Sequence, residues 1–82
     1  MQKVVIRLGG NNCEFYLVDV ATELKKVPGV KDVDIQTMRG HVIVNYVAGK
    51  MNPAQLLSAV NRVKGEGYHC KGQFEGQPGP VS

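Results

Sequence analysis

The sequence predicts an α+β fold with the element order β-α-β-β-α-β, a ferredoxin-like sandwich of a four-stranded antiparallel sheet with two helices on one face. Three observations carry this prediction. Three stretches alternate apolar residues at a period of two, one stretch repeats them at the helical spacing of three and four, and an Asn-Pro pair opens a second helical stretch. Each element has its own justification. In Lys3 to Leu8, Val4, Ile6 and Leu8 share one face while Lys3, Val5 and Arg7 share the other, which is a strand. Gly9-Gly10-Asn11-Asn12 breaks it. From about Cys13, Leu17, Val20, Leu24 and Val27 form the stripe of an amphipathic helix. Asn11 or Asn12 is expected to cap its start, Lys25 and Lys26 complement the dipole at its end, and Pro28-Gly29 stops it.

Val30 to Thr37 alternates through Val33 and Ile35, Arg39-Gly40 supplies a turn, and His41 to Val47 places Val42, Val44 and Tyr46 on one face, so the two runs form a hairpin. At Asn52-Pro53 a capping residue precedes a proline suited to the first helical position, and Gln55 stands where a capping box accepts Glu or Gln. Leu56, Leu57, Val60 and Val63 are that helix's buried side. Lys64 to Gly67 ends it, and Tyr68 to Phe74 forms a short last strand. These readings place one domain at residues 1–74. Residues 75–82, with Gly76, Pro78, Gly79 and Pro80, offer too few apolar groups to offset their ordering entropy and are expected to form a flexible tail or linker. The expected core is Val4, Ile6, Leu8, Leu17, Val20, Leu24, Val27, Val33, Ile35, Val42, Val44, Leu56, Val60 and Val63.

Eighty-two residues hold one compact core and exclude a two-domain enzyme. The apolar runs are too short for a membrane span or a signal peptide, so a cytoplasmic chain, or a domain cut from a larger protein, is expected. A formal charge of +3 favours an acidic partner without resembling a nucleic-acid-binding tail. RNA binding is further disfavoured because the inner strands lack the paired aromatics on which bases stack: the third strand offers Tyr46 and the first offers none. No nucleophile–base pair is visible, and the loop after the first strand has no arginine to cradle an acyl phosphate, so a non-enzyme is expected.

The residues also resemble a known family. Gly10-Asn11-Asn12-Cys13-Glu14-Phe15-Tyr16 occupies the place of the Gly-Met-Thr-Cys-x-x-Cys loop of the heavy-metal-associated domains, the family of small copper chaperones and of the soluble metal-binding domains of heavy-metal-transporting ATPases. Leu17, Val20, Leu24 and Val27-Pro28-Gly29-Val30 follow at the family's distances. Val33, Ile35, Val42, Val44, Tyr46, Asn52-Pro53, Leu56-Leu57 and Gly67-Tyr68 continue the match over roughly residues 3 to 70. The metal loop departs from the pattern: Asn11 replaces Met, Asn12 replaces Thr, and Tyr16 replaces the second ligand cysteine. The resemblance implies soft-metal binding, with Cu(I) the first expectation and zinc or another soft metal the next. It implies a metal-transporting ATPase or other metal-accepting protein as partner.

Cys13, on the loop opening the first helix, is the expected first ligand, since free backbone N–H groups and the helix dipole favour its thiolate, and thiolates suit soft ions. Its polar Gly-Asn surroundings predict partial solvent exposure, against the commoner fate of a free cysteine as a small apolar filler. Cys70 starts the last strand. In this topology the loop after the first strand and the loop before the last lie at the same sheet end, so Cys13 and Cys70 can meet. His69 points to the opposite face from Cys70, and Cys70 shares its face with Tyr68, which makes Cys70 the expected second ligand. The other reading buries Cys70 beneath a helix and leaves His69 solvated. Tyr16 is expected to cover the core edge, and Met38 and His41 at the hairpin tip to be solvated rather than a second metal site. Three functions remain open at this point: metal transfer, a metal-free interaction module on the same scaffold, and a thiol-redox variant with a reversible Cys13–Cys70 disulfide. A homodimer bridged by metal through Cys13 is a further expectation.

Overall fold

The computed structural model describes residues 2–80, with side chains described through Glu75. The described chain forms β1 (Gln2–Asn11), a 3-10 turn (Cys13–Phe15), α1 (Leu17–Lys25), β2 (Val30–Asp34), β3 (His41–Tyr46), α2 (Ala54–Asn61), β4 (Lys64–Gly65) and β5 (Tyr68–Pro80). The strands lie in the order β2-β3-β1-β5-β4, and every pairing is antiparallel. The sheet thus has five strands where the sequence predicts four. The extra strand is two residues long, and it pairs Lys64 with His69 and Gly65 with Tyr68. So short a strand leaves no alternation to read, because its partner is reached through a tight turn at Glu66-Gly67.

Register aligns the apolar positions on one face. Val4 lies opposite Val44 and Ile6 opposite Val42, so β1 and β3 present Val4, Ile6, Val42, Val44 and Tyr46 together. Val20 and Leu24 of α1 and Leu56, Ala59 and Val60 of α2 close over them in one buried cluster, so both helices cover the same sheet face. Most of the expected core is there. Leu8, Val33 and Ile35 are half-buried at its margin, and Leu17, also half-buried, lies outside the cluster. Ala59, Tyr46, Cys13 and Cys70 join it instead. Burial pushes the Tyr46 hydroxyl pKa up, as expected for a group that ionises to an anion.

The second helix starts as its sequence predicts. Asn52 Oδ1 accepts from the Ala54 N–H at 3.0 Å, and Gln55 Oε1 accepts from the Asn52 N–H at 2.9 Å, which is a closed capping box. At the far end of α1, Glu23 accepts from Lys26 Nζ at 2.9 Å and from Arg62 Nε at 3.1 Å, tying α1 to the residue after α2. The Lys26 bond, then the Arg62 bond, hold the Glu23 carboxyl below its ordinary pKa.

β5 extends well past Phe74. Its backbone pairs with β1 as far as Gly79 opposite Lys3 and Pro80 opposite Gln2, with a register irregularity between Lys3 and Val5. In the stretch expected to be a tail from residue 75, Glu75, Gly79 and Pro80 pair with β1 while residues 76–78 fall at the register irregularity, and Val81 and Ser82 lie outside the described residues. A ladder needs no apolar side chains to form. β4 pairs only with Tyr68 and His69, so beyond them the other edge of β5 carries no partner among the described residues, and prolines there remove no ladder bond from that side.

Candidate functional site

The chemistry-bearing end of the sheet is where β1 leaves and β5 enters. Gly10 lies opposite Cys70 and Asn11 opposite His69, so the two strands bring the Asn loop against the first turn of β5. Gly10 has φ +109°, and a Cβ placed on it would run into the His69 carbonyl oxygen, so only glycine permits this approach. Asn12 then adopts φ 59°, the left-handed region in which asparagine is among the tolerated residues, and turns the chain inward. Cys13 follows at the head of the 3-10 turn, which is closed by the Phe15 N–H donating to Asn12 O at 3.2 Å and the Tyr16 N–H donating to Cys13 O at 2.9 Å.

Cys13 and Cys70 meet as a disulfide, with their Cα atoms 5.0 Å apart. The predicted juxtaposition is present, and the oxidised pairing belongs to the thiol-redox alternative. His69 occupies the opposite face of β5, as alternation requires, and is not part of the pair. The expectation that Cys13 is partly exposed does not hold: Cys13 is 3% exposed and Cys70 0%. The reason is local. The left-handed Asn12 directs the next side chain toward the core, so the polarity of the surrounding loop does not determine where the sulfur lies. Nor does a thiol at the start of α1 exist to have its pKa lowered, because the sulfur is bonded and α1 begins only at Leu17.

Asn11 and Asn12 cap no helix. Their side-chain amides both donate across the chain to the Gly67 carbonyl, Asn12 at 2.9 Å and Asn11 at 3.4 Å. That carbonyl sits in the turn between β4 and β5, so the asparagines fasten the Cys13 loop to the segment that leads into Cys70. Tyr16 and Tyr68 add a third link between the same two elements. Their rings stack at 3.7 Å between centroids and 11° between planes, half-buried against the core. Tyr16 therefore covers the core edge, as expected. The Cys70 N–H donates to Val63 O at 2.9 Å, which fixes the cysteine beside the end of α2.

At the hairpin tip the side chains engage protein partners or solvent. His41 Nδ1 lies 2.8 Å from Arg39 O, and its Nε2 pairs with the Glu75 carboxylate, which also faces Arg7 at 3.7 Å; Met38 is 40% exposed. Asp34 binds the loop between β2 and β3: the Thr37 hydroxyl, the Gln36 N–H and the Thr37 N–H donate to it and lower its pKa. Among the described residues, no group of three or more His, Cys, Asp and Glu side chains could hold an ion together. Sequence reasoning missed Phe15 and Val18, exposed at 75% and 71% beside the Cys13 turn. Their signal was available: Val18 falls outside the stripe of Val20 and Leu24, and Phe15 precedes it.

No family model and no curated protein matches the chain. Solved structures do. Oxidised MerP from Ralstonia metallidurans superposes with a TM-score of 0.73 at 21% identity, over 93% of this chain and 100% of that one. The N-terminal domain of PacS from Synechocystis gives 0.63 at 26% identity, over 89% and 98%. The apo copper chaperone of Enterococcus hirae gives 0.65 at 17% identity, over 85% and 98%. The chain has the fold of the heavy-metal-associated domains. Within that fold the departure of this domain is concrete: the second cysteine comes from β5, and Tyr16 takes the place the resemblance assigns to a ligand. No helix among the described residues is long and apolar enough to cross a membrane.

Proposed function

We propose that this domain binds and transfers a soft metal ion, Cu(I) first, through Cys13 and Cys70 once their disulfide has been reduced. The observation that carries the reading is the pairing itself: two cysteines 57 positions apart in sequence are brought to a Cα separation of 5.0 Å. Reduced, they supply two soft sulfur donors without a third ligand group beside them among the described residues, which suits Cu(I), an ion content with few soft ligands, better than zinc with its usual four. The structural likeness to a copper chaperone supports the same reading. The same likeness supports carriage rather than catalysis. Transfer would proceed by ligand exchange, an acceptor's thiolate adding to the ion before one domain thiolate departs. A metal-transporting ATPase or another metal-accepting protein is the fitting partner, and the +3 charge favours an acidic one. Because both ligands lie in one chain, a second copy is not needed to complete the site.

The disulfide specifically favours a second reading, in which the cysteines serve thiol redox chemistry and no metal is carried. Anaerobic titration of the fully reduced chain with Cu(I), against a strong competing ligand, separates the two. Metal transfer predicts one ion per chain, loss of most affinity in Cys70→Ser and in Cys13→Ser, and gain of affinity in Tyr16→Cys. Binding no better than background by the reduced parent overturns the metal reading and leaves the redox one.

A further inference from the structure

The two sulfur-bearing residues differ in access. Cys70 is wholly enclosed, whereas Cys13 retains slight exposure and lines a cavity of about 370 Å³ that Cys70 does not reach. Leu8 and Leu17 wall this cavity, and Glu14 and Arg39 bring one carboxylate and one guanidinium to it. Both of these charged residues are exposed, and among the described residues neither takes part in an ion pair. Thiol–disulfide exchange is a displacement in which a thiolate attacks one sulfur and the other departs, so access decides which sulfur is attacked.

We propose that this cavity admits a small zwitterionic thiol, of the amino-acid or short-peptide class, which opens the disulfide by attack on Cys13 Sγ. The charges select the class: the carboxylate of such a thiol pairs with Arg39 and its ammonium with Glu14, while the apolar wall receives the methylene that bears the sulfur. In the first step the incoming thiolate forms a bond to Cys13 Sγ, the Cys13–Cys70 bond breaks, and Cys70 leaves as a thiolate that takes a proton from water. A second thiolate then attacks the sulfur of the first, releasing Cys13 as a thiolate and a disulfide of the two small thiols. Two electrons pass to the domain, and two thiols are oxidised. Burial makes Cys70 the poorer leaving group, which slows the exchange without redirecting it, because an outside nucleophile has no route to Cys70. The inference holds whether or not the reduced pair takes a metal.

The oxidised chain is treated with reduced glutathione, quenched in acid, alkylated and peptide-mapped. The glutathione adduct is expected on Cys13 over Cys70 by at least about tenfold, as access-controlled exchange requires. An equal split, an adduct on Cys70, or no adduct under conditions where neutral mercaptoethanol opens the disulfide would overturn the proposal. The double variant Glu14→Gln with Arg39→Ala changes only exposed side chains. It is expected to slow opening by glutathione about threefold, the scale of exposed ion pairs, while leaving the mercaptoethanol rate unchanged. An equal fall for both thiols, or no fall for either, would overturn the assignment of the charged pair.

Discussion

The starts of the two helices solve one problem in different ways. α2 is closed within four residues: Asn52 and Gln55 satisfy each other's neighbourhood, and nothing distant is needed. The approach to α1 instead spends its asparagines on Gly67, more than fifty positions away, and its cysteine on Cys70. The α1 start is a fastening between distant parts of the chain, and the α2 start is a local folding signal.

Breaking the fastening should therefore cost far more than breaking the cap. The largest effect is expected from reducing the disulfide, which spans 57 positions. On the loop-entropy account a ring of that size stabilises by about 4 kcal/mol. For a domain of this length that corresponds to a fall in melting temperature of roughly 15–30 °C, readable by calorimetry with and without reductant. Next comes Gly10→Ala, which forces a side chain into left-handed backbone against the His69 carbonyl; a loss of about 1–3 kcal/mol is expected in denaturant melts, with slower re-formation of the disulfide after reduction. Asn52→Ala should cost about 1 kcal/mol, and the loss should be the same in the oxidised and reduced states, because the capping box touches neither cysteine. Unequal losses would show that the two helix starts communicate.

The smallest effect concerns pH and lies away from both helix starts. Glu23 has a lowered folded pKa, from its bonds to Lys26 and then Arg62. The contribution is thus present above the unfolded carboxylate value near 4.5 and lost as pH falls through the lower folded value. Glu23→Gln should flatten the acid limb of the stability curve slightly and leave neutral pH little changed, and an unaltered acid limb would remove Glu23 from the account.

Where the sequence could be read, the signal was local and repeated. Val4 and Ile6, Val42 and Val44, and Leu56 and Val60 announce their faces by spacing, and Asn52-Pro53 with Gln55 announces a helix start by residue type. The element order follows from those signals, apart from the two-residue β4. The Cys13–Cys70 meeting was legible from topology, since the loop after the first strand and the start of the last strand lie at the same end of the sheet. The burial of Cys13 was not, because it depends on a single left-handed residue, and the residues of a loop do not reveal which way its backbone turns. The partner of Asn11 and Asn12 was hidden for a related reason: an amide at a turn can serve a helix or a distant carbonyl, and only the assembled fold decides. The pairing of Glu75, Gly79 and Pro80 left no pattern at all, because it rests on main-chain bonds that any residue with a free N–H or C=O can make.

The long β1–β5 ladder also has a mechanical side. Gln2 pairs with Pro80 at one end of it and Asn11 with His69 at the other, where the disulfide ties Cys70 to Cys13 just past β1. Tension applied at Gln2 and Pro80 would load the ladder one rung at a time from that end, as a zipper opens, rather than shearing all rungs together. The crack would run toward Gly10 and stop at the covalent link between residues 13 and 70. Everything between those two positions, both helices and the β2–β3 hairpin included, lies off the line of force while the link is closed. Once it is reduced, the same pull passes straight through them, so the redox state of one bond sets how much of the molecule carries a load.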